Sequence, residues 1–207
     1  MDGKKKVVMK EQWNPEYGKK LVQVARSAIA RKLNLSVPRH LEPDLSEIPA
    51  GLLEEKRGVF VTLQKTGRLR GCIGSIEPAK PVLEGVRENA LHAALDDSRF
   101  SPVTPEELAD IDIEVSLLTV PEKLDHSDAR DLLRQVIPFR NGVIVEKGSH
   151  RATFLPQVWE QLPDPESFLT QLCLKARLDP DAWHTRDLTV FIYEAQSFTE
   201  TGKPNGH

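Results

Sequence analysis

Cysteine is scarce, and its scarcity removes several chemistries at once. The 207 residues hold two, Cys72 and Cys173, with no C-x-x-C pair and no closely spaced run that would seat an iron–sulfur cluster. A disulfide scaffold is therefore not expected, and a reducing, cytoplasmic setting is. Positive charge is not in excess: Lys plus Arg number 28 against 31 for Asp plus Glu, a net charge of -3, so no general field draws a polyanion and nucleic acid is not expected as a partner. No run of about 18 apolar residues occurs, and the lysine-rich start from Met1 to Lys10 lacks the apolar centre of a leader, so neither membrane spanning nor secretion is expected. P-loop, G-x-S-x-G and H-E-x-x-H motifs are missing. Lys65-Thr66-Gly67 has no S-x-x-K companion and reads as a turn. His92 and His150 have no second ligand at a metal-binding spacing, so no metal is expected and no cofactor is indicated.

What is present is an ordinary globular composition, 39% hydrophobic and 29% charged, long enough for one large domain or two lobes. Asn14-Pro15-Glu16 opens a helix expected to run to about Asn34, with Leu21, Val24, Ala25, Ile29 and Leu33 on one apolar stripe. The proline-bearing stretch from Pro38 to Gly51 reads as an irregular connection. Val59 to Leu63 and Leu69 to Gly74 form a hairpin about Lys65-Thr66-Gly67. Pro81 opens a second amphipathic helix ending near Asp96. Residues 110–119 alternate cleanly as a strand, with Asp112, Glu114 and Ser116 on a polar face that solvation would explain. A short helix over about 128–135, paired strands about Gly148, a helix opened by Asp164-Pro165-Glu166 and a central strand from Leu188 to Tyr193 follow. The reading is α+β, mainly antiparallel sheet flanked by helices, with residues 1–12 and 199–207 as frayed ends.

The chemistry gathers around Arg70-Gly71-Cys72-Ile73-Gly74. Two glycines weaken a strand, so something must approach that backbone closely. Either a ligand lies across it, with Arg68 or Arg70 holding an anionic group and Cys72 offering a thiol, or another chain segment packs there and Cys72 is a small buried residue. Asp96 and Asp97, near a helix C-terminus, need a positive partner. Arg99 is the local candidate, and an Arg70–Asp97 pair would fix the hairpin against the helix. Gln157 offers an amide to a ligand, Trp159 reads as core, and Cys173 as inert core.

Leu69-Arg70-Gly71-Cys72-Ile73-Gly74 resembles the hallmark of the AMMECR family, whose prokaryotic members are called AmmeMemoRadiSam system protein A. Asp97-Ser98-Arg99-Phe100-Ser101-Pro102, Ile113-Glu114-Val115-Ser116 and Thr153-Phe154-Leu155-Pro156-Gln157-Val158-Trp159 resemble its other blocks, in order. The similarity runs from roughly Asn14 to Phe198, giving one AMMECR-type domain over 13–198. One departure is Arg177, where similar proteins usually carry glycine, which bears on the local helix end.

The resemblance implies a larger and a smaller lobe with these segments near a cleft. It also implies a modification pathway shared with a Memo-like protein and a radical S-adenosylmethionine enzyme. This chain lacks the cluster cysteines and is not that enzyme. The implied site takes Cys72 and Glu114 as catalytic candidates, Glu114 as base or counter-ion. Arg70, Gly71, Gly74, Arg99, Ser116 and Gln157 are its binding candidates, the ligand being an unidentified small molecule or peptide. The alternative is a module without chemistry that binds a partner protein through the hairpin, by strand addition for instance.

Overall fold

In the computed structural model, which describes residues 13–38 and 42–200, the first helix starts where the sequence places it. Helix α1, Pro15–Lys32, is capped by Asn14, whose side chain accepts the Glu16 N–H at 2.9 Å. It stops two residues short of the expected end because Asn34 turns left-handed at φ 59°. The N–H groups of Asn34 and Leu35 then return to the carbonyls of Arg31 and Ala30 at 3.1 and 2.9 Å. That double bond closes the helix with carbonyls that would otherwise lack donors.

Two compact units follow from the chain path. The first holds the described residues up to Leu118 and from Gln196 on. It contains α1, a short helix α2 at Ala50–Glu54 that begins at the end of the stretch expected to be irregular, strands β1 (Val59–Lys65) and β2 (Arg68–Ser75), helix α3 (Val82–Leu95) and strand β3 (Ile111–Leu118). Thr66 and Gly67, both at positive φ, make the two-residue hairpin turn whose twist suits the flanking strands. The unit's last strand joins β3 on its far side, giving the order β2-β1-β3-β8, where β8 is Ala195–Thr199. Both α1 and α3 lie against this sheet. Leu21, Ala25 and Ile29 of α1 and Val82, Val86 and Ala90 of α3 are fully buried with Val61, Leu63, Ile113 and Val115 of the strands. Each such large side chain contributes about 1.5–3 kcal/mol over its exposed state, so this single apolar face carries the unit. Thr199, expected to begin the tail, is instead buried as the last residue of β8. Residues 1–12 and 201–207, read from sequence as frayed ends, lie outside the described residues.

The second unit is Thr119–Ala195. Its sheet has the order β4-β7-β5-β6, from β4 (Glu122–Lys123), β5 (Gly142–Lys147), β6 (His150–Phe154) and β7 (Thr189–Tyr193). The β4–β7, β5–β6 and β5–β7 pairings are antiparallel, and β7 lies inside the sheet as its two-sided apolar pattern requires. Helices α4 (Ala129–Gln135) and α5 (Pro165–Lys175) complete it, each opened by an aspartate that accepts a backbone N–H, Asp128 and Asp164. Trp159 is core: its ring stacks on Phe168 at 3.6 Å and its indole N–H donates to the Asn141 carbonyl at 2.7 Å. Cys173 of α5 is buried, and burial pushes its thiol up.

At the end of α5 the chain repeats the closure seen after α1. Arg177 is left-handed at φ 59°, and the N–H groups of Arg177 and Leu178 bond to the carbonyls of Leu174 and Cys173, each at 2.9 Å. The geometry that glycine adopts without penalty is kept with a side chain in place, so the strain falls on Arg177.

Candidate functional site

The register of the first sheet lines up the hallmark residues. Thr62 of β1 stands opposite Cys72 on one side and Glu114 on the other, so Cys72, Thr62 and Glu114 form a row across three strands. The next row is Gly74, Phe60 and Ser116. Strand periodicity puts both rows on the sheet face opposite the apolar core. The Thr62 hydroxyl donates to Cys72 Sγ at 3.4 Å, Ser116 donates to Glu114 at 3.3 Å, and the Ser116 and Ser197 hydroxyls lie 2.8 Å apart.

Glu114 and Ser116 are not on a solvated face. They are 8% and 2% exposed, and only Asp112, at the start of the strand, keeps the expected exposure. β3 is flanked by β1 and β8, so its polar side chains have Thr62 and Ser197 beside them rather than an open edge. Alternation is intact, but the alternate face holds a buried polar cluster.

Strand β2 is the edge of its sheet, and Asp97 and Arg99 close that edge at Cys72. The Cys72 N–H donates to Asp97 Oδ2 at 2.9 Å, and Arg99 donates to the Cys72 carbonyl at 3.1 Å. Arg99 also holds both oxygens of Asp97, from Nε at 2.9 Å and Nη2 at 2.7 Å. These bonds hold the Asp97 carboxyl well below the usual carboxylate range, against the opposing effect of burial. The helix-end conflict at Asp97 is thus resolved by Arg99.

Arg70 does not pair with Asp97 or Glu114. It grips Glu107 with two bonds, Nε at 3.0 Å and Nη2 at 2.9 Å, and Lys65 adds a third at 3.1 Å. The Arg70 bonds, helped by Lys65, bring the Glu107 carboxyl down to about 2. The cause of the altered partner is a β-bulge. Gln64 faces Leu69 while Leu63 faces Gly71, leaving Arg70 as the extra residue, and a bulge re-aims the side chain it carries. The Phe100 ring lies between the two cations, 5.9 Å from Arg70 and 5.5 Å from Arg99.

Both hallmark glycines serve packing inside this unit. Neither has positive φ. A methyl on Gly71 would overlap the Ala93 carbonyl oxygen of α3, so the missing side chain lets the edge strand seat on the helix. A methyl on Gly74 would overlap the Phe60 ring and the Val59 carbonyl. Phe60 thus covers its cross-strand glycine, a pairing that restores the packing glycine lacks.

Cys72 is half-buried, and burial pushes its thiol up, with the Thr62 bond and the Arg99 charge only partly opposing. The resting group at neutral pH is a thiol, not a thiolate. Gln157 lies in the second unit, on the turn Pro156–Glu160, and is exposed. Of the sequence candidates, Cys72, Glu114, Ser116 and Gly74 share one sheet face, Arg99 anchors its edge, and Arg70 and Gly71 support it from the bulge and the helix side. Thr62, Ser197, Phe100 and Glu107 were not anticipated. Phe100 stands inside the Asp97–Pro102 block, whereas the pairing of Thr62 with Cys72 depends on the bulge at Arg70. Among the described residues, no group of three or more His, Cys, Asp or Glu side chains is placed to hold a metal ion, and no helix is long and apolar enough to cross a membrane.

Comparison with known proteins identifies the family. The family model described as AMMECR1 matches residues 22–198. A protein of Methanothermobacter thermautotrophicus is 44% identical over 186 residues, covering 89% of this chain and 95% of its own. A protein of Thermofilum pendens is 42% identical over 197 residues, covering 90% and 91%. The crystal structure of uncharacterized protein PH0010 from Pyrococcus horikoshii aligns with a TM-score of 0.77 at 38% identity, over 89% of this chain and 91% of that one. With the family match running over residues 22–198 and so through both units, the chain belongs to the AMMECR1 family.

Proposed function

We propose that this chain is a substrate-holding component of a modification pathway, and that the polar face of the first sheet holds the substrate. The observation that carries the reading is the gathering of a thiol, a carboxylate and three hydroxyls, from Cys72, Glu114, Thr62, Ser116 and Ser197, on one sheet face whose reverse is apolar core. Buried polar groups are costly unless they serve a network or a ligand, and two buried and three half-buried ones on one face suit a small polar molecule or a peptide segment. In this reading Glu114 accepts a substrate N–H or O–H, or takes its proton, and Arg99 and Phe100 flank the entry at the strand edge. Cys72 takes part as a protonated thiol, which supports holding over thiolate attack. Family resemblance supplies the setting, with a Memo-like protein and a radical S-adenosylmethionine enzyme as partners in the cytoplasm. The Gln157 amide is a further candidate for reading the substrate and is not required.

The non-catalytic alternative, a protein-binding hairpin, is narrowed by one observation. Asp97 and Arg99 already occupy the outer edge of β2 at Cys72, so an added strand would have to displace a charge pair. The test is to purify the full chain from cells co-expressing a Memo-like protein and a radical S-adenosylmethionine enzyme, denature it, and identify released molecules by mass spectrometry. Wild type is expected to release one species in near-stoichiometric amount. Glu114→Gln is expected to lose it without a large change in melting temperature. A wild type that releases nothing, or a folded Glu114→Gln that releases as much, overturns the reading.

A further inference from the structure

A cavity lies within the first unit, away from the Arg70–Gly74 segment. It has a volume of about 200 Å³ and is lined, among the described residues, by Ala30 of α1, by Leu35 and Val37 just after that helix, and by Pro105, Leu108 and Ala109 before β3. None of Cys72, Glu114, Ser116 or Arg99 takes part in its lining.

Two polar residues of α1 also line it, and they differ in one respect. Arg26 is paired: it bonds the carbonyls of Leu108 and Ile111 and pairs with the Glu200 carboxylate through two nitrogens. Its charge is neutralised, and four of its five N–H donors are used. Ser27 is 3% exposed, and its hydroxyl has no hydrogen-bond partner. A buried hydroxyl without a partner costs roughly 1–3 kcal/mol in general, and such groups in native proteins call for an explanation. A serine hydroxyl rotates to donate or accept, so it suits either kind of ligand group.

We infer that this cavity is a binding site for a small, uncharged, mainly apolar molecule bearing one hydroxyl or carbonyl, which bonds to Ser27. Size sets the scale: an apolar cavity of roughly 150 Å³ accepts benzene, so this one takes a single ring with a few substituent atoms. Charge sets the class. An anion finds no free cation at Arg26, and a cation finds no acid among the lining residues. The apolar walls supply affinity, and the single hydroxyl supplies discrimination between molecules of equal shape.

Three probes of matched shape test this on the full chain: p-cresol, toluene and p-toluate. Binding is followed by amide shifts of Ser27, Leu35 and Leu108 in nitrogen-15 spectra. The p-cresol titration is expected to move these amides and to give an affinity roughly 3- to 10-fold above toluene, the range of one neutral hydrogen bond. Ser27→Ala is expected to erase that difference while still binding toluene. Ala30→Leu, which fills the cavity, is expected to abolish both. If Ala30→Leu does not fold, the Ser27→Ala comparison decides alone. No shift with any probe overturns the inference, as does a p-cresol preference that survives in Ser27→Ala. Tighter binding of p-toluate than of p-cresol overturns the uncharged class. Because Ser27→Ala leaves the Glu114 face untouched, failure here is separable from failure of the substrate-holding proposal.

Discussion

Asp97 accepts the backbone N–H of Cys72 at 2.9 Å and so closes the exposed edge of the strand that carries Leu69 to Gly74. The same carboxylate is 5% exposed and gripped by Arg99. One residue therefore blunts a sheet edge, which would otherwise invite pairing with another chain, and sets the position of the only half-buried thiol among the described residues.

The first prediction follows from charge. The Asp97 and Glu107 carboxyls are both lowered in the folded protein, Glu107 to about 2. A lowered folded value means the unfolded state binds the proton first as pH falls. The stabilisation is complete above the ordinary carboxylate value of about 4 and is lost progressively below it. Melting temperature should fall steeply from pH 4 toward pH 2. Asp97→Asn should flatten part of that fall and cost about 1–3 kcal/mol near neutral pH, because Arg99 loses its partner and a charged bond to Cys72 is lost. An unchanged acid limb in Asp97→Asn would refute the assignment.

The hallmark glycines should respond differently to alanine. At Gly71 the added methyl meets the helix backbone at Ala93, which cannot move without shifting α3. At Gly74 it meets both the Phe60 ring and the Val59 carbonyl. Each is expected to cost about 1–3 kcal/mol by overpacking. Only Gly74→Ala should be partly rescued by Phe60→Ala, since the ring is half of its obstacle. Denaturant titration of the four Gly74 and Phe60 combinations reads the coupling, and strict additivity would show that the ring is not in the way.

Cys72 should be a sluggish nucleophile. Its thiol is raised by burial and held by Thr62, so iodoacetamide near neutral pH should label it several-fold more slowly than free cysteine. Thr62→Val should slow it further, because the hydroxyl bond is the larger of the influences favouring the thiolate. Cys173, fully buried, should stay unlabelled in the native protein. Labelling faster than free cysteine would restore the thiolate reading.

Much of this was legible because it depends on local pattern. The capping residues Asn14 and Asp164, the apolar stripe of α1 and the alternation of β3 each act through neighbours a few residues away. What was not legible depends on register. Counting back from the Thr66-Gly67 turn without a bulge pairs Thr62 with Gly71, whereas the bulge at Arg70 pairs it with Cys72. That one-residue slip decides which side chains share a face. It also sends Arg70 to Glu107 instead of Asp97, and Glu107 lies in a stretch with no strong periodicity to mark it. The burial of Glu114 and Ser116 was hidden for a similar reason: β8 joins beside β3 from the far end of the chain, and no local pattern announces that pairing.

The departure from glycine at Arg177 yields the last prediction. Arg177 holds φ 59° at the end of α5, where its N–H and that of Leu178 close the helix. A residue with a Cβ in that conformation costs roughly 1–2 kcal/mol. Glycine removes the strain but adds about 0.4–1 kcal/mol of chain entropy to the unfolded state. The strain is the larger quantity, so Arg177→Gly should stabilise the protein by about 0.5–1 kcal/mol. For a chain of this size that is an increase of roughly 1–4 °C in melting temperature. Arg177→Ala is the control, because it removes the side chain while keeping the strain, and it should change stability by less than about 0.5 kcal/mol. His150 reports on whether the closure survives. Its Nδ1 lies 3.1 Å from the Ala176 carbonyl, and since a carbonyl only accepts, Nδ1 carries the proton. Retention of that tautomer's nitrogen shifts in Arg177→Gly would show the helix end unchanged. A destabilised Arg177→Gly with the His150 signal intact would mean that the arginine side chain contributes more than its backbone costs, and the strain argument would fail.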